Sequence, residues 1–124
     1  MNEKLQILKE RTEDVEIIFV GGILDAHTAP ILENSIKETI ENGIVRIIFN
    51  LKDLEYISSA GLGVFMAFIE EIRNKNGDFK FAEMKEKIYS IFELLGFHLI
   101  FDILKSNDEA INYFKNNYLK KNEW

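Results

Sequence analysis

Two short apolar-rich runs, residues 5–10 and 15–20, flank the polar Arg11-Thr12-Glu13-Asp14 and read as the strands of a hairpin. Gly21-Gly22 is expected to end the second strand, since paired glycines tolerate backbone dihedrals that other residues avoid. Pro30 fits the first turn of a helix, with Thr28 as its candidate cap. Leu32, Ile36 and Ile40 then recur at a spacing of four, and Asn42-Gly43 stops the helix. Residues 45–50 are apolar and β-branched, the mark of a covered strand. Leu62, Phe65, Phe68, Ile69 and Ile72 return to helical spacing, so a second helix begins near Ala60 or Gly61 and runs to Asn74. A short strand at 79–82, a helix at 86–95 capped by Gly96, and a strand at 99–103 follow. Ser106-Asn107-Asp108-Glu109 is a capping box that opens a last helix through Tyr118. The order β-β-α-β-α-β-α-β-α predicts a central mixed sheet with helices against it, joined by right-handed crossovers.

Between the strand at 45–50 and the second helix lies Tyr56-Ile57-Ser58-Ser59-Ala60-Gly61-Leu62-Gly63. Ser58 and Ser59 fall at the helix N-terminus, where free N–H groups and the helix dipole favour an anion. A phosphate on either serine would be held locally and would add roughly −1.5 to −2 charge at a surface turn. The plainer reading is that a serine here is only an N-cap, worth about 1 kcal/mol. Gly61 and Gly63, on the same view, only let the helix approach the sheet.

With 124 residues, 47% hydrophobic, the chain is long enough for one domain with a core and too short for two ordinary ones. A formal net charge of −6 argues against a nucleic-acid surface. The absence of cysteine excludes disulfides, thiol catalysis and Cys-ligated metals. The first nine residues are interrupted by polar side chains and hold no signal-peptide core, and no apolar run approaches the ~20 residues of a membrane span. A soluble cytoplasmic protein is the expectation.

Enzyme chemistry is thinly represented. A hydrolase elbow needs Gly-x-Ser-x-Gly, and Ile57 stands where its first glycine belongs. His27 or His98 would have to serve as base, oriented by Asp25 or Asp102. Gly61-Leu62-Gly63 lacks the third glycine of a dinucleotide loop, and no Gly-x-x-x-x-Gly-Lys-Ser/Thr occurs. Two distant histidines without cysteine make no metal site. Asp25 is either a turn residue or an acid that touches a divalent ion during phosphoryl transfer.

Taken with its flanks, Leu54-Glu55-Tyr56-Ile57-Ser58-Ser59-Ala60-Gly61-Leu62-Gly63-Val64-Phe65 resembles the signature of the anti-sigma factor antagonists, the bacterial single-domain STAS proteins. Gly22-Ile23-Leu24-Asp25-Ala26-His27-Thr28-Ala29 is similar to a second segment of that family, and Leu95-Gly96-Phe97 and Glu109-Ala110 to its C-terminal marks. In the family the phosphorylated serine lies two residues before Gly-Leu-Gly, which is Ser59 here. Two positions depart from the pattern: Asn50 and Ser58 each stand where the family often has Asp. Both changes are expected to remove carboxylates from around the turn.

The resemblance implies an α/β, STAS-like fold, a central mixed β-sheet with four to five α-helices packed against it. Residues 1–118 would form the domain and 119–124 a polar tail ending in Trp124. It implies a protein that binds an anti-sigma factor serine kinase when unphosphorylated and so releases a sigma factor. The kinase, using ATP and Mg²⁺, would phosphorylate Ser59 (Ser58 is the second choice), and a serine phosphatase would reverse it. On this reading the chain is a substrate and ligand, not an enzyme, with no cofactor and no nucleic-acid or membrane partner. The expected partner surface comprises Asp25, Thr28, Ser58, Gly61 and Leu62. Two other readings stay open: a scaffold module of a stress-sensing or transporter complex, and a small serine hydrolase acting through Ser59.

Overall fold

β1 (Leu5–Thr12) pairs antiparallel along its whole length with β2 (Val15–Leu24), from Leu5 opposite Gly22 to Thr12 opposite Val15. This computed structural model describes residues 4–122. Contrary to expectation, β2 does not stop at Gly21-Gly22. Gly22 takes a φ of +93°, a bulge shifts the register there, and the strand continues for two more residues. A Cβ at Gly22 would fall 2.2 Å from the Lys4 carbonyl oxygen, so glycine is what lets β1 and β2 stay in contact through the bend. The first half of β2 pairs parallel with β3 (Arg46–Asn50), and the second half with β4 (Leu54–Ile57). Sequence spacing misses β4, because its burial runs in-out-out-in and shows no alternation.

The remaining elements are α1 (Ala29–Glu41), α2 (Ser59–Asn74), β5 (Asp78–Ala82), α3 (Glu86–Leu94), β6 (Asp102–Leu104) and α4 (Asn107–Asn122). The sheet order is β1-β2-β3-β5-β6, with β4 beside β2, and every pair except β1–β2 is parallel. It is the mixed sheet with four α-helices that the sequence predicts. Alternation along the strands sorts the core into two layers. Ile18, Val20, Ile47, Phe49, Phe79 and Phe81 meet Leu32 and Ile36 of α1, Phe65 and Ile72 of α2, and Ile88 and Phe92 of α3. Phe49 is its hub, with edge-on rings of Phe65 and Phe79 at 4.9 Å. On the other face, Val15, Ile17, Ile48 and Ala82 meet Ala110 and Phe114 of α4.

Lys80 lies on that second face and is only 2% exposed. Its ammonium bonds Asp102 at 2.7 Å and Asp78 at 3.4 Å, and sits 4.5 Å from the Phe114 ring centroid. A buried charge is tolerated because carboxylates and an aromatic face replace its water. The strand predicted at 99–103 is shorter than expected: Phe97–Leu99 form a 3-10 turn and β6 begins at Asp102. Gly96 has a φ of +78° at the end of α3, the left-handed stop predicted for it. α4 runs on to Asn122, past the stop expected at Tyr118, and Glu123 and Trp124 of the tail lie outside the described residues.

The parallel strands share one direction, and α1, α2 and α3 return antiparallel to them. The carboxyl ends of β2 to β5 and the starts of these three helices therefore form one pole. The end of α3 and the 3-10 turn form the other. Among the described residues no helix is long and apolar enough to cross a membrane.

Candidate functional site

At the first pole, the N–H of Ser58 donates to the Leu24 carbonyl at 2.9 Å, which fastens the end of β4 to the end of β2. Ser58 has extended dihedrals, and its hydroxyl accepts from the Gly61 N–H at 3.2 Å. It is the N-cap of α2, so the helix starts at Ser59, one residue earlier than its spacing predicts. A Cβ on Gly61 would lie 2.7 Å from Leu24 Cγ and 2.8 Å from the Leu24 carbonyl oxygen. Only a glycine lets this helix end sit on β2. Ser59, the first helical residue, is exposed, and the first turn of α2 carries no acidic side chain. One serine thus satisfies the helix while the other offers its hydroxyl to solvent on the positive end of a 16-residue helix.

Asp25 follows directly after β2. One carboxylate oxygen accepts from the N–H groups of His27 and Thr28, at 2.9 and 3.1 Å, and the other accepts from Lys4 Nζ at 2.7 Å. The Lys4 bond, aided by the two backbone donors, lowers the Asp25 pKa to about 2 against a smaller opposing effect of burial. Thr28 does not cap α1 with its side chain, as expected of it. Its hydroxyl turns back to donate to the Ile23 carbonyl at 2.8 Å and to accept from Asp25 N–H at 2.9 Å. The segment 23–28 is therefore a closed hydrogen-bonded turn that presents a fixed carboxylate.

Three residues of the expected partner surface are buried. Thr28 and Leu62 are 4% and 3% exposed, and Gly61 is buried against Leu24. Leu62 belongs to the core beneath α2 because helical spacing turns it inward with Phe65 and Ile69. These three residues support the turn from below and offer little contact area. What faces outward is Ser59, Ala60, Gly63 and Met66 of α2, with Tyr56 of β4 and His27 nearby in the chain order of the pole. Sequence reasoning misses Tyr56 and Met66, since an exposed aromatic or thioether looks like core material in a periodic pattern. It also misses Lys4, whose pairing across 21 residues has no local signature.

Asn50 does not lie at the serine turn. Its side chain points to the α4 face, donating to Glu83 Oε2 at 2.9 Å and Asn107 Oδ1 at 3.0 Å and accepting from Lys52 N–H at 3.0 Å. On the β4 side, Glu55 is held by Lys85 and Lys87, chiefly Lys85, which lower its pKa. Of the residues a hydrolytic relay would need, Asp25 accepts from backbone N–H groups and Lys4, Asp102 pairs with Lys80, and His98 stands at the opposite pole.

This pole of a small α/β domain exposes the Ser59 hydroxyl on a helix N-terminus, with the hydrogen-bonded carboxylate of Asp25 on the neighbouring turn. The family model of the STAS domain matches residues 6–110, and the chain belongs to that family. It is 33% identical over 104 residues to the anti-sigma-B factor antagonist of Listeria monocytogenes, covering 83% of this chain and 90% of the relative. An anti-sigma factor antagonist from Mycobacterium paratuberculosis superimposes with a TM-score of 0.81 at 23% identity, covering 90% and 94% of the two chains. The Bacillus protein SpoIIAA is also similar. Its unphosphorylated form gives a TM-score of 0.77 at 20% identity over 90% of this chain and 97% of the other. Its phosphorylated form gives 0.68 at 22% identity over 86% and 97%.

Proposed function

We propose that this protein is an anti-sigma factor antagonist that works in the cytoplasm by partner switching. Unphosphorylated, it binds an anti-sigma factor serine kinase through the pole around Ser59 and so frees a sigma factor. The kinase, with ATP and Mg²⁺, transfers phosphate to Ser59 Oγ and ends the interaction, and a serine phosphatase restores it. The chain itself is a substrate and a ligand, not an enzyme. The observation that carries this reading is the division of labour at the turn: Ser58 occupies the cap, which leaves Ser59 exposed with its hydroxyl uncommitted. The names of the relatives support the same class, and SpoIIAA is a protein known in both phosphorylated and unphosphorylated forms.

A phosphate dianion at this turn adds charge next to Asp25, already ionised and held by Lys4. Without a cation from the partner to meet it, burying that dianion costs several kcal/mol, a loss of two decades or more in affinity. The domain need not refold, since the helix N-terminus tolerates the anion.

The test is a pull-down from native lysate with wild-type, Ser59→Ala and Ser59→Asp baits, read by mass spectrometry. Wild type and Ser59→Ala should recover a histidine-kinase-like anti-sigma factor that Ser59→Asp does not. Recovery of one partner by all three baits would sink the switch.

A further inference from the structure

Asn42-Gly43 and Asn76-Gly77 are the two Asn-Gly pairs of the chain, and each follows the end of a helix. They sit one residue out of step on the same kind of turn. After α1 the glycine is the left-handed residue, with a φ of +86°. Its N–H donates to the Ile40 carbonyl at 2.9 Å, and the Ile44 N–H reaches Thr39 at 3.2 Å. After α2 the asparagine is the left-handed residue, with a φ of +66°, and the Gly77 N–H itself reaches back to the Ile72 carbonyl at 2.9 Å. The surroundings differ more. Asn42 and Gly43 are both exposed, and nothing lies within 4 Å of a Cβ placed on Gly43. Asn76 is exposed but Gly77 is buried, and a Cβ there would fall 1.9 Å from the Val45 carbonyl oxygen, which accepts from the Asp78 N–H at 2.9 Å.

We infer that Asn42 is a site of spontaneous modification, converted by deamidation to aspartate and isoaspartate, and that the fold withholds the same reaction from Asn76. The attacking atom is the backbone nitrogen of the following residue, and glycine hinders it least. Hydroxide removes the Gly43 N–H proton, the nitrogen attacks Asn42 Cγ, and a C–N bond forms as ammonia leaves. Water then opens the cyclic imide at either carbonyl. To bring nitrogen and Cγ together, the peptide must swing about the asparagine ψ. For Gly43 the swing costs the bonds of one exposed helix end, the part of a helix that frays most readily. For Gly77 it displaces a buried peptide packed on Val45 and frees the start of β5, where Asp78 is tied to Val45 and Arg73. The product adds one negative charge at the negative end of the α1 dipole, where the last turn holds Glu38 and Glu41 and no basic side chain. In the isoaspartate form the main chain is a methylene longer, so the Gly43 and Ile44 N–H groups fall out of register with Ile40 and Thr39.

The test incubates the whole protein in mildly alkaline buffer, folded and in urea. Both sites are followed by peptide mapping with electron-transfer fragmentation, which separates aspartate from isoaspartate. In the folded protein Asn42 should convert at least about tenfold faster than Asn76, a ratio that a modest difference in local opening produces. In urea the two should convert at similar rates, because the unfolded chain presents two Asn-Gly pairs of equal freedom. Asn42→Gln, a change at an exposed side chain, should remove the fast phase from the folded protein and leave Asn76 slow. A smaller ratio in the folded protein, an Asn76 that leads, or a preference for Asn42 that persists in urea would overturn the inference.

Discussion

The side-chain amide of Asn50 donates to the Glu83 carboxylate across 2.9 Å, and the two residues lie at the ends of β3 and β5, under the start of α4. Asn50 is 1% exposed, and its oxygen takes the Lys52 N–H, which fixes the orientation of the amide. A neutral donor is required here because both neighbours on its nitrogen, Glu83 Oε2 and Asn107 Oδ1, are acceptors.

Asn50→Asp should place two carboxylates face to face and cost about 1–3 kcal/mol of stability at pH 7. The folded pair takes up a proton more readily than the separated carboxyls of the unfolded chain, so the loss should shrink as pH falls through the carboxylate range. Urea unfolding at pH 7 and pH 4.5 checks this, and an equal loss at both would contradict the like-charge explanation.

Gly61 and Gly63 lie in the same helix turn and should respond oppositely. Gly61→Ala drives a methyl into the backbone and side chain of Leu24 and should destabilise by about 1–3 kcal/mol. Nothing lies within 4 Å of a Cβ on Gly63, so Gly63→Ala should stabilise by about 0.5–1 kcal/mol. Two urea melts suffice, and a harmless Gly61→Ala would show that α2 can lift from β2.

Lys4→Met should raise the Asp25 pKa from about 2 towards its ordinary value of 3.8, stopping short because the His27 and Thr28 N–H groups remain. The folded value is depressed, so the contribution of Asp25 to stability is present above pH 4 and lost as pH falls towards 2. In the variant that loss should be smaller. A carbon-detected NMR titration of the Asp25 carboxyl reads the shift directly, and no change on removing Lys4 would disprove its leading role.

Ser58→Ala should cost about 1 kcal/mol by removing the cap of α2, and Ser58→Asp should largely retain it. Neither change should prevent phosphate labelling at Ser59 by the kinase of the proposed switch. Loss of labelling in Ser58→Asp, with the helix intact by circular dichroism, would instead make Ser58 the acceptor.

Local periodicity carries the elements that are long and one-sided. Leu32, Ile36 and Ile40 mark α1, and Leu62, Phe65, Phe68, Ile69 and Ile72 mark α2, because a helix that buries one face must repeat at that spacing. β4 escapes the same reading, as does the shortening of β6. Both are too short for a period to register, and pairing with β2 and β5 decides them.

The sequence by itself determines that a helix begins just after Ser58-Ser59, downstream of the strand at 45–50, and that a mixed sheet underlies it. Those features depend on neighbours within a few residues. Only the tertiary structure decides which serine caps and which is exposed, that Thr28 and Leu62 turn inward, and that Lys4 holds Asp25. It also sends Asn50 to the far face of the sheet. Each depends on strand pairing between distant residues, where a one-residue slip would invert the side chains, and no local spacing records that register.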